Sequence, residues 1–192
     1  VAGQNAANIA LGMGAEVTML DTDLDKLRMS FWRYDNRVRQ IASSSLSVRQ
    51  EVLGADMVIG TVLIPGAKAP KLVTDEMVSL MKPGAVLVDV AIDQGGCFEG
   101  SRPTTHADPT FRVHDAIYYC VANMPGAVPN TSTWALTNAT MGYAVRLADK
   151  GWQGALAADP ALAKGLNTHD GSVTYAAVAD AFGMPFTDVN SV

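Results

Sequence analysis

The sequence predicts an α/β protein with a doubly wound parallel sheet, and three observations support this class. Short, nearly continuous apolar runs recur before Pro125, as expected for strands that are buried on both faces. Helical patterns separate these runs, and alternation of strand and helix favours right-handed crossovers. Gly3 opens the first helical pattern, and the strand after it ends on Asp21.

The predicted elements follow one another in a regular order. Apolar and β-branched runs predict a short strand at Val38–Ile41 and four further strands, at Val17–Leu20, Asp56–Val62, Ala85–Ala91 and Ala116–Val121. The patterns between them predict four helices, at Gly3–Met13, Asp23–Arg28, Ser47–Leu53 and Thr74–Met81. The turn signal Lys-Pro-Gly separates the last of these helices from the next strand.

The pattern changes after Pro125. A proline-rich loop leads into three predicted helices, at Thr131–Lys150, Pro160–Leu166 and Val173–Phe182. Thr131 and Ser132 are candidate N-caps of the first, and Gly151 is its candidate stop. No strand is predicted between these helices. Because consecutive helices do not extend a parallel sheet, we expect this part of the chain to return to another domain.

Composition and charge exclude several classes of function. The formal net charge of -5 gives no reason to expect binding to nucleic acid or to an anionic membrane. No apolar run approaches the roughly 18 residues that a membrane span needs. Cys97 and Cys120 form no CxxC pair and are predicted to be buried thiols.

The histidines do not indicate a metal or nucleophile site. His106 and His169 lie in polar segments and are predicted to be solvated, while His114 precedes a strand and is predicted to be structural. None of them stands at a metal-ligand spacing or beside a Ser or Cys that it could activate. No metal site is therefore expected.

Gly3 and Asp21 fit the second half of a dinucleotide-binding βαβ unit. A glycine at a helix start lets pyrophosphate approach the backbone N–H groups, and a carboxylate ending the next strand accepts hydrogen bonds from ribose hydroxyls. Asp21 lies 18 residues after Gly3, a suitable spacing if Gly3 is the last fingerprint glycine. A helix-packing glycine and a turn aspartate explain the pattern equally well. If the motif is real, Asp21 and Asp23 repel a 2′-phosphate, which favours NAD over NADP.

Other candidates follow the later predicted strands, where open α/β sheets bind ligands. The loop Val62–Pro70 (VLIPGAKAP) suits a wall against adenine or ribose, although a plain connecting loop also explains it. Asp93 precedes a Gly-Gly pair that allows close approach of backbone or ligand, with a capping aspartate as the equal alternative. Asp89 lies within an apolar run and is predicted to be a satisfied structural carboxylate. Asn123 offers the donors and acceptors that a nicotinamide amide needs.

Longer motifs are similar to those of a known family. The segments GTVLIPGAKAP, LVDVAIDQGGCFEGSRPTT and YCVANMPGAVPNTSTWALTNATMGY together closely resemble bacterial alanine dehydrogenase, and the similarity runs essentially end to end. The NAD-binding part of proton-translocating nicotinamide nucleotide transhydrogenase shares the fold and several of these motifs. The runs TSTWALTNATMGYAVRLADKGW and LAKGLNTHDG look more like the dehydrogenase.

The resemblance implies a domain organisation. Residues 1–125 match an NAD-binding Rossmann-like domain that is incomplete at its N-terminus. Residues 126–192 match the connecting long helix and the C-terminal helices that belong to the substrate domain. The first Rossmann strand, the first two fingerprint glycines, and the family's substrate-binding Arg and Lys and catalytic His are expected in a segment that this sequence lacks.

The resemblance also implies roles for individual residues. Asp93 is similar to the active-site aspartate and is the predicted catalytic residue. Cofactor contacts are implied for Gly3 at the pyrophosphate, Asp21 and Lys26 at the adenosine ribose, Ser43 near the adenine, Val62 and Leu63 as the adenine-side and ribose-side walls, and Asn123 and Met124 at the nicotinamide.

The implied activity is the reversible oxidation of L-alanine to pyruvate and ammonia by a cytoplasmic homo-oligomer, with NAD as cofactor. No nucleic-acid or membrane partner is expected. The alternatives are the NAD-binding domain of a transhydrogenase and a non-catalytic NAD-binding fragment. Because the family's substrate-side residues fall outside this sequence, we expect the chain by itself not to oxidise alanine. We also expect the unpaired sheet edges to lower its stability.

Overall fold

A computed structural model describes residues 1–191 as two compact units. The first unit contains Val1–Leu63 and Ala69–Ala122, and the second contains Ile64–Lys68 and the residues from Asn123 onward. Among the described residues, no helix combines the length and the apolar character that crossing a membrane requires.

The first unit contains two sheets. One pairs β1 (Val17–Asp21) with β2 (Val38–Ala42) in parallel. The other has four strands, in the order β3 (Met57–Gly60), β4 (Val86–Asp89), β6 (Ala116–Tyr119) and β5 (Thr110–Val113). The first three of these are parallel, and β5 pairs antiparallel with β6. The predicted α/β class with parallel strands is therefore confirmed.

The antiparallel strand β5 is missing from the predicted elements. Its sequence TFRV alternates between exposed and partly buried side chains. A two-residue turn of His114 and Asp115 joins it to β6, and His114 has a φ of 52°, the left-handed conformation that tight hairpin turns need. Because the turn lacks the usual Asn-Gly or Asp-Gly pair, the sequence carries only a weak hairpin signal.

Four helices belong to the first unit: α1 (Ala2–Gly12), α2 (Leu24–Arg33), α3 (Ser45–Gly54) and α4 (Asp75–Ser79). Each predicted helix therefore has a counterpart. Helix α2 continues past its predicted end at Arg28 and packs on β1 and β2. Leu27, Ser30 and Tyr34 are buried, and this spacing keeps one face of the helix against the sheet.

The core of the first unit surrounds β4. Leu87 of β4 and Tyr118 of β6 are fully buried, and the ring of Phe98 packs edge-on against Tyr118. The prediction of strands buried on both faces holds only in part for β4, where the face of Leu87 is fully buried and the face of Val86 and Val88 is partly buried. It is wrong for β3, where Met57 is 57% exposed and Ile59 is 38% exposed. An apolar run predicts a strand, but it does not show whether another element covers each face.

Gly60, the last residue of β3, is required by the packing around it. A Cβ at this position would lie 2.2 Å from Sγ of Cys97 and 2.7 Å from Cζ of Phe98, and both side chains are buried. We expect Gly60→Ala to lower the free energy of unfolding by about 2 to 3 kcal/mol. Urea denaturation measures the change. Gly54→Ala is the matched control because a Cβ there meets nothing within 4 Å, and equally small effects would contradict the close packing.

The second unit is mostly helical, with α5 (Pro129–Ala158), α6 (Pro160–Ala163) and α7 (Ala176–Phe182). Helix α5 begins at proline, which has no N–H group to leave unpaired in the first turn. Thr131 and Ser132 therefore lie inside the helix, and their prediction as N-caps is wrong. Gly151, the predicted stop, has a φ of 66° and interrupts the helical geometry, but the helix resumes after it.

A short hairpin interrupts the predicted run of helices. Strands β7 (Thr168–His169) and β8 (Ser172–Val173) pair antiparallel around Asp170 and Gly171. Both turn residues have a positive φ, 44° and 78°, as a type I′ turn needs. The prediction of no strand in this part of the chain is therefore wrong, although the Asp-Gly pair carried the hairpin signal.

Candidate functional site

Several predicted site residues lie at the carboxyl ends of their strands. Asp21 is the last residue of β1, and Ser43 directly follows β2. Val62 and Leu63 lie shortly after β3, and Asp93 lies shortly after β4. In a parallel sheet these ends share one edge, which is where open α/β proteins bind ligands. Each of these residues is therefore placed at the carboxyl-end edge of its own sheet.

Asp21, Asp23 and Lys26 form a charged cluster at this edge of β1. The Asp21 Oδ1 atom accepts a hydrogen bond from the Asp23 N–H at 2.9 Å, and the Asp21 carbonyl accepts one from the Ser43 N–H at 3.0 Å. The Lys26 ammonium lies 3.5 Å from Oδ2 of Asp23 and 4.0 Å from Oδ2 of Asp21. The Asp21 side chain is 38% exposed. Hydroxyl groups of a ligand can therefore reach this carboxylate.

Asp23 caps the start of α2. Its Oδ1 atom accepts hydrogen bonds from the backbone N–H groups of Asp25 and Lys26, at 3.0 and 3.2 Å. The bond from the Lys26 N–H is the main cause that lowers the pKa of Asp23. The cluster thus sets two carboxylates against one ammonium at an exposed edge. A phosphate group placed there meets net repulsion.

Gly3 lies in the first turn of α1, close to the end of β3. A Cβ on Gly3 would lie 2.7 Å from Oγ1 of Thr61, so the glycine lets the helix approach the strand closely. This contact supports the packing explanation of Gly3. Close helix–strand packing is also what the last glycine of a dinucleotide fingerprint provides, so the packing and cofactor explanations are compatible.

Val62 and Leu63 begin the loop after β3 and differ in exposure. Val62 is partly buried and packs against the core of the first unit, whereas Leu63 is 70% exposed. An anchored valine beside an exposed leucine offers an apolar surface to a flat ring. The role of this pair as a wall for adenine and ribose stays a prediction.

Asp93 lies exposed on a single 3₁₀ turn that follows β4. The N–H of Gly96 donates to the carbonyl of Ala91 at 3.0 Å, which closes the turn. Gly95 and Gly96 have φ values of 87° and 73°, a left-handed conformation that residues with side chains rarely adopt. Residues 91–96, named here the Asp93 turn, therefore hold one backbone shape that leaves the Asp93 carboxylate accessible.

Asp89 anchors the Asp93 turn from inside. Its side chain is fully buried and accepts hydrogen bonds from three backbone N–H groups and one hydroxyl, those of Ala91 at 3.1 Å, Cys97 at 2.9 Å, Phe98 at 3.4 Å and Ser101 at 2.6 Å. The prediction of a satisfied structural carboxylate is confirmed. A Cβ on Gly96 would lie 2.6 Å from Oδ2 of Asp89, so this network also requires a glycine.

The two cysteines are free and buried, as predicted. Burial is the main cause that raises the pKa of both Cys97 and Cys120. The charge of Asp89 raises the pKa of Cys97 further, because the thiol sulfur lies 3.5 Å from Oδ1 of this carboxylate. Both thiols therefore stay protonated at neutral pH, and neither is a candidate nucleophile.

Asn123 and Met124 begin the second unit. Asn123 has a φ of 59° and precedes the short 3₁₀ helix Met124–Ala127, and its carbonyl accepts a hydrogen bond from the N–H of Gly126 at 2.9 Å. Asparagine adopts this left-handed conformation more readily than most residues. The predicted contacts of both residues with nicotinamide stay predictions.

The three histidines have different surroundings. His106 is exposed, and Nε2 of His114 lies 3.0 Å from a carboxylate oxygen of Asp75. His169 lies in the β7–β8 hairpin, and its ring centroid is 4.7 Å from that of Trp152. The prediction that His169 is a solvated loop residue is therefore wrong. In the part of the chain that the structure describes, no group of three or more His, Cys, Asp or Glu side chains is placed to hold a metal ion.

Sequence patterns do not single out Thr61 or Ser101, although both contact predicted residues. Thr61 directly follows β3 and faces Gly3, and Ser101 donates its hydroxyl hydrogen bond to Asp89. A hydroxyl residue after a strand, or in a loop such as SRPTT, is too common to mark a site. Only the folded arrangement shows what these two side chains contact.

The fold and these side chains define the class of protein. Parallel strands joined by helices, a glycine at a close helix–strand contact and an accessible aspartate ending the next strand are features of a Rossmann-like domain. The family model "Alanine dehydrogenase/PNT, C-terminal domain" matches residues 1–176. The chain therefore belongs to this family, and the resemblance seen in its motifs is confirmed.

Individual relatives agree with this assignment. The chain is 63% identical over 187 residues to an alanine dehydrogenase of Mycolicibacterium smegmatis, and the match covers 97% of this chain and 50% of that protein. It is 54% identical over 192 residues to an alanine dehydrogenase of Geobacillus stearothermophilus, over 100% of this chain and 51% of that protein. The chain thus spans about half the length of the curated relatives it matches.

Solved structures lead to the same conclusion about the fold. An L-alanine dehydrogenase structure matches with a TM-score of 0.82 and 44% identity, over 94% of this chain and 50% of that chain. The crystal structure of transhydrogenase from Sinorhizobium meliloti matches with a TM-score of 0.62 and 30% identity, over 70% of this chain and 39% of that chain. The Rossmann-like fold predicted from the sequence is confirmed.

Proposed function

We propose that this chain is the NAD-binding part of an alanine dehydrogenase, which reversibly oxidises L-alanine to pyruvate and ammonia with NAD. One observation carries the proposal: a chain 63% identical to an alanine dehydrogenase has Asp21 at the carboxyl end of one parallel strand and Asp93 just after the carboxyl end of another. The assignment of residues 1–125 to cofactor binding and of residues 126–192 to the connection with a substrate domain belongs to the same proposal.

The proposed contacts to the adenosine half of NAD come from the edge of β1 and β2. Asp21 accepts hydrogen bonds from the ribose hydroxyls, which its partly exposed carboxylate allows. Lys26 lies close enough to Asp21 to balance part of its charge. Ser43, joined to Asp21 through the backbone, lies near the adenine. Gly3 lets the pyrophosphate approach the start of α1.

The remaining proposed contacts are apolar or neutral. Val62 and Leu63 form the wall beside adenine and ribose, for which the exposed leucine supplies apolar surface. Asn123 and Met124 contact the nicotinamide, and the asparagine amide offers both a donor and an acceptor to the nicotinamide amide. These assignments follow from the family resemblance and the chemistry of the side chains.

Asp93 is the proposed catalytic residue of this chain. When bound, NAD accepts the hydride that leaves the substrate carbon. Asp93 orients the substrate amine or a water molecule, and its negative charge favours the cationic, iminium-like state of the substrate. Two features support this role: the side chain is exposed, and the turn that carries it is held by Asp89 and two glycines.

An activity assay separates this proposal from its alternatives. The protein at its natural length should form NADH, pyruvate and ammonia from L-alanine and NAD. Hydride exchange between NADH and NADP⁺ without alanine oxidation would instead favour a transhydrogenase, for which the lower identity of 30% is the weaker support. NAD binding with neither activity would favour a non-catalytic NAD-binding protein.

We also propose that the protein acts in the cytoplasm as a homo-oligomer. The free, buried thiols of Cys97 and Cys120 suit a reducing compartment. Helix α5 leaves Trp134 66% exposed and Met141 53% exposed, and such apolar surface is often covered at subunit contacts. Light scattering of the natural-length protein should give a mass of at least two subunits, and the mass of a single subunit would contradict the proposed homo-oligomer.

Asp21 is expected to supply much of the discrimination between NAD and NADP. Asp21→Ala removes the acceptor for the ribose hydroxyls and part of the negative charge that repels a 2′-phosphate. We expect NAD binding to weaken about 10- to 100-fold, the effect of one or two charge-assisted hydrogen bonds. The ratio of NADP to NAD dissociation constants should fall. Isothermal titration calorimetry on the natural-length protein measures both constants.

Asp25→Ala is the matched control for this substitution. Asp25 lies in the first turn of α2 and pairs with Arg28 at 2.6 Å. Its removal changes the net charge by the same amount as the removal of Asp21. We expect NAD affinity to stay within about twofold of the parent, because Asp25 has no proposed contact with NAD and its exposed ion pair contributes little to stability. Equal weakening by the two substitutions would show that Asp21 acts only through its general charge.

A further inference from the structure

We propose that Lys71 is a positioning residue that orients Asp93 by holding backbone carbonyls of its turn. The inference rests on the proposed catalytic role of Asp93. Nζ of Lys71 donates to three backbone carbonyls, those of Gly95 at 2.6 Å, Gly96 at 2.9 Å and Phe98 at 3.1 Å. An ammonium group has three protons, so these acceptors use its full hydrogen-bonding capacity.

These contacts distinguish Lys71 from an ordinary surface lysine. Lys26 and Lys82, in the same unit, pair with exposed carboxylates. Such exposed ion pairs contribute little to stability. Lys71 instead makes charge-assisted hydrogen bonds to the main chain, and these are stronger than neutral hydrogen bonds. Its side chain therefore fixes backbone geometry rather than balancing a surface charge.

The Asp93 turn is held by two groups of opposite charge. The buried carboxylate of Asp89 accepts hydrogen bonds from backbone N–H groups before and after the two glycines. The ammonium of Lys71 donates to the carbonyls of those glycines. Because a carboxylate takes only donors and an ammonium takes only acceptors, the peptide units between them have one favourable orientation.

The backbone around Lys71 is anchored independently of its side chain. The N–H of Leu72 donates to the carbonyl of Cys97 at 2.7 Å, and Val73 forms a parallel bridge with Phe98. These bonds do not involve the ammonium group. Its removal should therefore leave the fold in place and loosen only the glycine peptides of the Asp93 turn.

A loosened turn has a specific kinetic consequence. Displacing a catalytic group by about 1 Å costs about 100-fold in rate. The proposed adenosine contacts of Asp21 and its neighbours lie at the edge of the other sheet. The rate constant kcat should therefore fall while the dissociation constant of NAD changes little.

The test compares variants of the natural-length protein. We expect Lys71→Met, which keeps an unbranched apolar side chain, to lower kcat for alanine oxidation about 10- to 100-fold and to change the NAD dissociation constant less than about threefold. Lys71→Arg keeps the charge and the donors and should recover part of the loss. Lys82→Met is the matched control because Nζ of Lys82 forms an ion pair with the exposed carboxylate of Asp56 at 2.8 Å. The kcat of this variant should equal that of the parent.

A second comparison separates this inference from the proposed function. In an Asp93→Asn background, Lys71→Met should lower kcat by less than about a further twofold, because both residues act through one carboxylate. Equal fold-losses in both backgrounds would overturn the positioning role of Lys71 and leave the role of Asp93 intact. An unchanged kcat in Asp93→Asn alone would instead refute the catalytic role on which the inference rests. If Lys71→Met does not fold, Lys71→Gln carries the same comparison.

Discussion

Replacing Asp93 with asparagine is expected to cause a large, selective loss of activity. Asp93→Asn keeps the size of the side chain and removes the charge that favours the cationic state of the substrate. We expect kcat for alanine oxidation by the natural-length protein to fall about 100- to 10,000-fold. The NAD dissociation constant should change less than about threefold, because the charged contacts proposed for NAD come from other residues. Steady-state kinetics and calorimetry measure the two quantities.

Asp115→Asn is the matched control for this prediction. Asp115 is exposed in the turn that precedes β6, whereas Asp93 follows β4. Because β4 and β6 run parallel, the two aspartates lie at opposite ends of the sheet. The control should keep the parental kcat. If Asp93→Asn lowered kcat and NAD affinity equally, Asp93 would be a cofactor-binding residue and its proposed part in the chemical step would be wrong.

Asp89→Ala is expected to cause the largest loss of stability. The substitution leaves three backbone N–H groups and the Ser101 hydroxyl without their buried acceptor, and it opens a cavity where the carboxylate lay. We expect the free energy of unfolding to fall by about 3 to 5 kcal/mol, which is a large fraction of the stability of an ordinary domain. Urea denaturation followed by circular dichroism measures the change.

Asp56→Ala controls for the general effect of removing an aspartate. The Asp56 side chain is 88% exposed and pairs with Lys82 at the surface. The free energy of unfolding should therefore stay within about 0.5 kcal/mol of the parent. A loss below about 1 kcal/mol for Asp89→Ala would mean that water replaces the carboxylate as acceptor, and that the network around Asp89 does not hold the Asp93 turn.

Local patterns predicted most of the first unit because each pattern involves only the residues that form the element. The apolar runs that became β1, β4 and β6 are long enough to identify a strand without knowledge of its partner. Asp89 was also predictable, since a carboxylate inside such a run must find donors when it is buried. The family motifs then indicated which strand ends carry candidate site residues.

The predictions failed where a partner defines the element. Strand β5 (TFRV) mixes polar and apolar residues and so forms no apolar run, and β7 and β8 have only two residues each. Such segments carry little signal of their own, and only pairing with a neighbour makes them strands. The exposed face of β3 is a similar case, because the sequence MVIG does not show whether another element covers it. His169 was misplaced for the same reason, since its partner Trp152 belongs to a helix.

The sequence by itself determined the α/β class, the parallel strands and, through its motifs, the family and the candidate site residues at the strand ends. Only the tertiary structure decided which distant groups meet: Gly3 with Thr61, Asp89 with Ser101, and Lys71 with the carbonyls of Gly95, Gly96 and Phe98. The physical reason is that propensity and periodicity act between neighbours in the chain. A hydrogen bond or a steric contact depends instead on distance in space, which exists only once the intervening segments have folded.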